Sequence, residues 1–196
     1  MKITRLFVYG SFVVICILLA SGCATPNRAI LVSPDLQSRE IGDVHMLPVV
    51  DARKDTSVKV DLRQKIMNPI CSAMKKKGYS VISESSFGAD GATPSEIGEM
   101  TPAEMCRLGP SEARTLCVII VEDIASDRNT CKVEILGVML DKTSKEVLWK
   151  GKGIGNQQGQ GGLVGIIVGP LTTRAALETS TDRLMQSLPE RTTPKR

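Results

Sequence analysis

The chain is poor in the side chains that most enzyme chemistry needs. Of its 196 residues one is histidine, His45, and only 3% are aromatic. A single histidine excludes most metal-ligand and Ser-His-Asp arrangements. With so few aromatics to stack on bases, and Lys and Arg totalling 25 against 21 acids, no nucleic-acid footprint is expected. No zinc-type pairing of CxxC motifs occurs either. What remains is ordinary in proportion, 42% apolar and 23% charged. That mixture excludes low-complexity disorder and suffices for one domain with a core.

The first residues read as an address. Lys2 and Arg5 precede an apolar run from Leu6 to Ala20, interrupted by Gly10 and Ser11. The run has the length of a signal-peptide h-region and falls short of the ~20 residues a membrane-crossing helix needs. It ends in Leu19-Ala20-Ser21-Gly22-Cys23, which resembles a bacterial lipobox, with Ala20 where Leu is usual. That resemblance implies cleavage after residue 22 and acylation of Cys23, while an ordinary secretory cut at the same small residues is the alternative. Acylation by two or three chains grips a bilayer far more firmly than one. Ala24 after the Cys implies an outer-membrane anchor facing the periplasm, since Asp there retains such proteins at the inner membrane. Losing Lys2 and Arg5 lowers the net charge from +4 to +2, so no polybasic surface is implied.

Four cysteines follow: Cys71, Cys106, Cys117 and Cys131. In an oxidising compartment they are candidates for disulfides, with three possible pairings that sequence does not choose between. Cys117, inside an apolar run, also suits a buried free thiol.

The organisation expected is a signal peptide at 1–22, a lipidated tether at 23–41, one domain at 42–190 and a flexible tail at 191–196. Val44–Val50 reads as a strand that Pro48 ends early or places at an edge. Leu62, Ile66, Ile70, Ala73 and Met74 have helical spacing, followed by three lysines and Gly78 as a stop. Pro69 either kinks this helix or opens a new one capped by Asn68. Residues 79–82 form a short strand; Thr93…Glu96 and Thr101…Glu104 are capping boxes of two short helices. Leu116–Val121 is continuously apolar, as in a strand buried on both faces. Lys132–Leu140, a turn at Asp141–Lys145 and Glu146–Lys150 make a β-hairpin. A Gly- and Gln-rich stretch at 151–162 leads to an apolar 163–168. The last helix carries Leu177, Thr181, Leu184 and Leu188 on one face, and Pro189 ends it. The order β-α-β-α-β-β-β-α predicts an α/β (α+β) fold, a single mixed sheet with helices packed on one face.

"MLPVVDAR", "KKKGYSVI", "ARTLCVIIVEDI" and above all "GVMLDKTSKEVLWKGKG" resemble a family of bacterial lipoproteins of unknown function. That family is related in fold to the amino-terminal domain of TolB and to the curli-secretion lipoprotein. The resemblance implies an envelope assembly or partner-docking factor and carries over no catalytic residue. The chain departs from the curli channel in being shorter and in lacking its membrane-spanning hairpins.

No catalytic, metal or cofactor site is expected. His45 reads as a structural or solvent-facing histidine, and Asp51 and Asp55, flanking Arg53 and Lys54, as carboxylates that titrate low in water. Gly151–Gly155 and Gly159–Val164 only superficially resemble phosphate-binding loops. Trp149 is expected to be buried. The expected function is thus a non-enzymatic, lipid-anchored docking protein with an envelope protein partner or as a homo-oligomer. The alternatives are a pore or secretion component using 151–169 at a membrane or subunit contact, and an enzyme on cell-wall or lipid substrates.

Overall fold

The computed structural model describes residues 29–37, 39–87, 92–127, 130–158 and 165–191, the last segment with side chains from 172 onward. The signal peptide and Cys23 lie outside the described residues. A mixed sheet dominates, built on the apolar run that the sequence places at its centre. In β5 (Thr115–Ser126), Cys117, Ile119 and Val121 enter one core while Leu116, Val118 and Ile120 enter another. A strand's side chains alternate, so a run apolar at every position must be covered on both faces.

The covering differs from expectation: helices pack on both faces rather than one. On the first face lie α1 (Asn68–Lys76) and α4 (Gly165–Gln186), contributing Ile70, Met74, Leu177 and Leu184. On the second lie α2 (Pro94–Glu99) and α3 (Pro102–Met105), contributing Ile97 and Met105. Both capping boxes form as read, each Thr hydroxyl accepting from the Glu backbone N–H while the Glu carboxylate accepts from the Thr N–H.

The strands run in the order β1-β7-β6-β5-β2-β4, with β3 also on β5. Here β1 is Ala29–Val32, β2 Val44–Met46, β3 Val50–Asp51, β4 Val81–Ser83, β6 Thr130–Asp141 and β7 Glu146–Gln158. The helix α1 links the parallel pair β2 and β4, whereas from β5 through β6 and β7 to β1 each strand is antiparallel to the next. Pro48 separates β2 from β3, which pair with β5 at either side of the gap. At Pro69 the helix continues. Asn68 has helical dihedrals (φ −61°, ψ −46°), and the turn before it, Arg63–Met67, is a π-helix. A wider turn accommodates a ring that would clash with the carbonyl four residues back.

Two boundaries move. The expected tether at 23–41 is folded from Ala29: β1 pairs with β7, Leu36 in a 3-10 turn is fully buried, and Ile41 is buried too. Burial of these apolar side chains outweighs the two prolines and polar residues that made the segment read as a linker. At the other end the Arg191 N–H donates to Lys77 O at 2.9 Å and its guanidinium to Ile41 O at 2.8 Å. Residue 191 thus belongs to the domain, and 192–196 lie outside the described residues.

The Gly- and Gln-rich stretch is strand as far as Gln158, in register with β6. Trp149, fully buried, and Gly151, Gly153 and Gly155 point to the same face, under α4. The glycines let the helix backbone sit directly on the strand. On α4, Leu177, Thr181 and Leu184 are buried as the periodicity requires, and Leu188, two residues past the helix end, is buried too. The apolar run 163–168 falls in residues without described side chains.

Candidate functional site

The four cysteines do not come together. All are free thiols. Cys106 lies in the core on one side of the sheet, and Cys71, Cys117 and Cys131 on the other, so the sheet itself separates Cys106 from the rest. The expected disulfide candidates are therefore unpaired here. Burial pushes the Cys117 thiol far up and raises those of Cys71 and Cys106, which keeps them protonated and poor nucleophiles.

His45 sits in β2 with Nδ1 2.7 Å from Glu84 Oε1, a pair joining that strand to the chain just after β4. Asp51 and Arg53 form a two-pronged clamp: Arg53 Nε donates to Oδ1 at 2.6 Å and a terminal nitrogen to Oδ2 at 2.7 Å. The other terminal nitrogen donates to Val58 O at 2.9 Å, tying the loop after β3 to the strand. The hydrogen bond from Arg53 holds the Asp51 carboxyl below its ordinary value. Asp55 is lowered by the Ser57 backbone N–H instead. Both acids titrate low, as the sequence suggests, although Arg53 is buried rather than solvated.

A second charged group lies across β5, β6 and β7. The Lys152 ammonium is 2.7 Å from Glu122 and 2.6 Å from Glu134, and Glu134 also pairs with Lys132. Hydrogen bonds from Lys132 and Lys152 hold the Glu134 carboxyl low. A third group organises the hairpin turn. The buried Asp141 accepts from the Thr143 and Ser144 N–H groups and from Arg39, while Lys142 donates to Leu108 O and Pro110 O. The most distinctive sequence motif thus has a structural task, pinning the β6–β7 turn to flanking loops. In these three groups opposite charges answer one another within hydrogen-bond distance.

Among the described residues no cluster of three His, Cys, Asp or Glu could hold a metal ion. Gly151–Gly155 is strand interior, hydrogen-bonded to β6, and is no phosphate loop. The other glycine motif, 159–164, lies outside the described residues. A cavity of about 440 Å3 opens beside Val58, Val60 and Leu177, with Lys59, Lys65, Arg174 and Asp61 at its walls. Arg174 is engaged by Glu178 at 2.8 Å, and Asp61 accepts from the Gln64 N–H at 2.9 Å.

One surface was missed by the sequence reading. The sheet is open, and its edge strand β1 exposes Ile30, Leu31 and Val32; Ile82 is exposed on the opposite edge, β4. The signal was present in Ile30-Leu31-Val32 followed by Pro34-Asp35, a short strand and its stop, within a segment read as tether. No helix among the described residues is long and apolar enough to cross a membrane.

Solved structures of bacterial proteins, a lipoprotein among them, are similar to this chain. Lipoprotein GNA1162 from Neisseria meningitidis is 15% identical with a TM-score of 0.45, over 69% of this chain and 98% of that one. The PelC dodecamer from Paraburkholderia phytofirmans is 11% identical with a TM-score of 0.46, over 78% and 89%. The LpoB C-terminal domain from Salmonella enterica is 15% identical with a TM-score of 0.36, over 58% and 82%. No family model matches the chain, and no curated protein does.

Proposed function

We propose that the chain is a bacterial envelope lipoprotein, anchored through acyl chains on Cys23 in the outer membrane and facing the periplasm. There it docks a protein partner rather than catalysing a reaction. The observation that carries this reading is Leu19-Ala20-Ser21-Gly22-Cys23 after a basic and then apolar leader. The charged side chains support the second half: Asp51 with Arg53, Glu134 with its lysines and Asp141 with Arg39 are used up in holding the domain together. Labelled palmitate should enter the wild-type protein and not the Cys23→Ser variant. Incorporation into Cys23→Ser, or none into either, overturns the anchor. Crosslinking in cells from exposed positions of the domain, with products identified by mass, tests the docking role; recovery of the monomer alone counts against it.

A second reading, an oligomeric secretion component, is favoured by the open sheet with apolar side chains on both edges, which suits joining of copies edge to edge. Of the expected contact 151–169, residues 151–158 belong to β7 and pair with β6. A monomeric size in detergent counts against assembly.

A further inference from the structure

We propose that β1 is the edge the domain lays on the bilayer surface, with Ile30, Leu31 and Val32 among the lipid headgroups. This rests on the Cys23 anchor. Large exposed apolar side chains are concentrated there: Ile30 is 56% exposed, Leu31 44% and Val32 38%. The pairing with β7 slips between Ala29 and Leu31, so successive side chains of this edge reach solvent instead of alternating into the core.

Chain length then decides what the edge meets. A tether running to residue 41 would let the domain float free, but Ala29, six residues after Cys23, is already paired in the sheet. Six residues span at most about 22 Å however they are arranged. The acylated cysteine lies in the membrane by definition, so β1 is held at the membrane-proximal pole of the domain. Among the described residues, the outer side of this strand carries backbone donors and acceptors without a strand partner, and hydrocarbon would leave them unsatisfied. The headgroup zone supplies water and phosphate to them while taking up the apolar side chains. Lys150, in register with Leu31 and partly exposed, adds a cation next to lipid phosphates.

The test uses the full acylated protein reconstituted in phosphatidylethanolamine–phosphatidylglycerol vesicles, with Cys71→Ser to remove the half-exposed thiol. A nitroxide is placed by Leu31→Cys or, on the far edge, by Ile82→Cys. Collisions with a water-soluble nickel reagent should be several-fold fewer at position 31 than at 82, and collisions with oxygen more frequent. Unchanged emission from buried Trp149 verifies the fold of each variant. Equal accessibility at the two positions on vesicles that float overturns this assignment and leaves the anchor standing. Spin–spin broadening at position 31 that disappears on dilution with unlabelled protein means pairing with a second copy, and overturns it as well. Protein that does not float and carries an unmodified Cys23 overturns the anchor, and the assignment with it.

Discussion

Gly153 in β7 lies so close to the carbonyl of Ser180 in α4 that no methyl group fits between them. Gly155 stands in the same relation to the carbonyl of Ala176, one helical turn away. The obstacle in both cases is helix backbone, which cannot rotate aside as a side chain could. Gly153→Ala and Gly155→Ala should therefore each destabilise the fold by about 3 kcal/mol, the upper part of the overpacking range. Gly42→Ala, where nothing lies within 4 Å of the added carbon, should be neutral or slightly stabilising. Denaturant midpoints of the three variants measure this. Equal midpoints would mean that α4 is not seated on β7 as described.

The same strand shows what could be read in the sequence. Hydrophobic pattern placed β5, the hairpin and the buried face of α4, because each of those signals is local: an unbroken apolar run, a turn between two short strands, a spacing of three and four. The capping boxes of Thr93 and Thr101 were legible for the same reason. Gly151, Gly153 and Gly155 also alternate with period two, but an absent side chain registers as flexibility until the helix it admits is known. The edge at Ile30–Val32 was hidden differently. The four residues of β1 are stabilised by pairing with β7, more than a hundred positions away, and flanking prolines made the surroundings look like linker. No such placement was possible for Cys23, which lies outside the described residues.

Acid should weaken the domain through Asp51. Its folded-state carboxyl titrates below the ordinary value of 3.8 because Arg53 donates to it, so the ionised form favours folding. That contribution is complete above the ordinary carboxylate range and is lost as pH falls through the lowered folded value. Glu134, held low by Lys132 and Lys152 against an ordinary 4.5, behaves alike. Wild-type melting temperature should hold above about pH 5 and fall steeply below about pH 4. Asp51→Asn should melt lower than wild type at pH 6, since it leaves the buried Arg53 without its counter-charge, and the two curves should converge at low pH. Curves separated by a constant interval from pH 2 to 7 would show that the Asp51 charge contributes nothing.

The cysteines give a prediction that distinguishes burial from oxidation. Cys106, Cys117 and Cys131 are buried, and Cys71 is half-buried in the middle of α1, facing the same core as Cys117. A maleimide reacts with thiolate, and burial suppresses that form as well as access. In the native protein, purified without reductant, only Cys71 should be modified within the time a free thiol needs. After denaturation, still without reductant, all four should react, adding four labels by mass to the cleaved chain acylated at Cys23. A shortfall of two labels that reductant restores would reveal a disulfide absent from this structure. Because the sheet lies between Cys106 and the other three, such a bridge would have to join two of Cys71, Cys117 and Cys131, and peptide mapping would find Cys106 alkylated throughout.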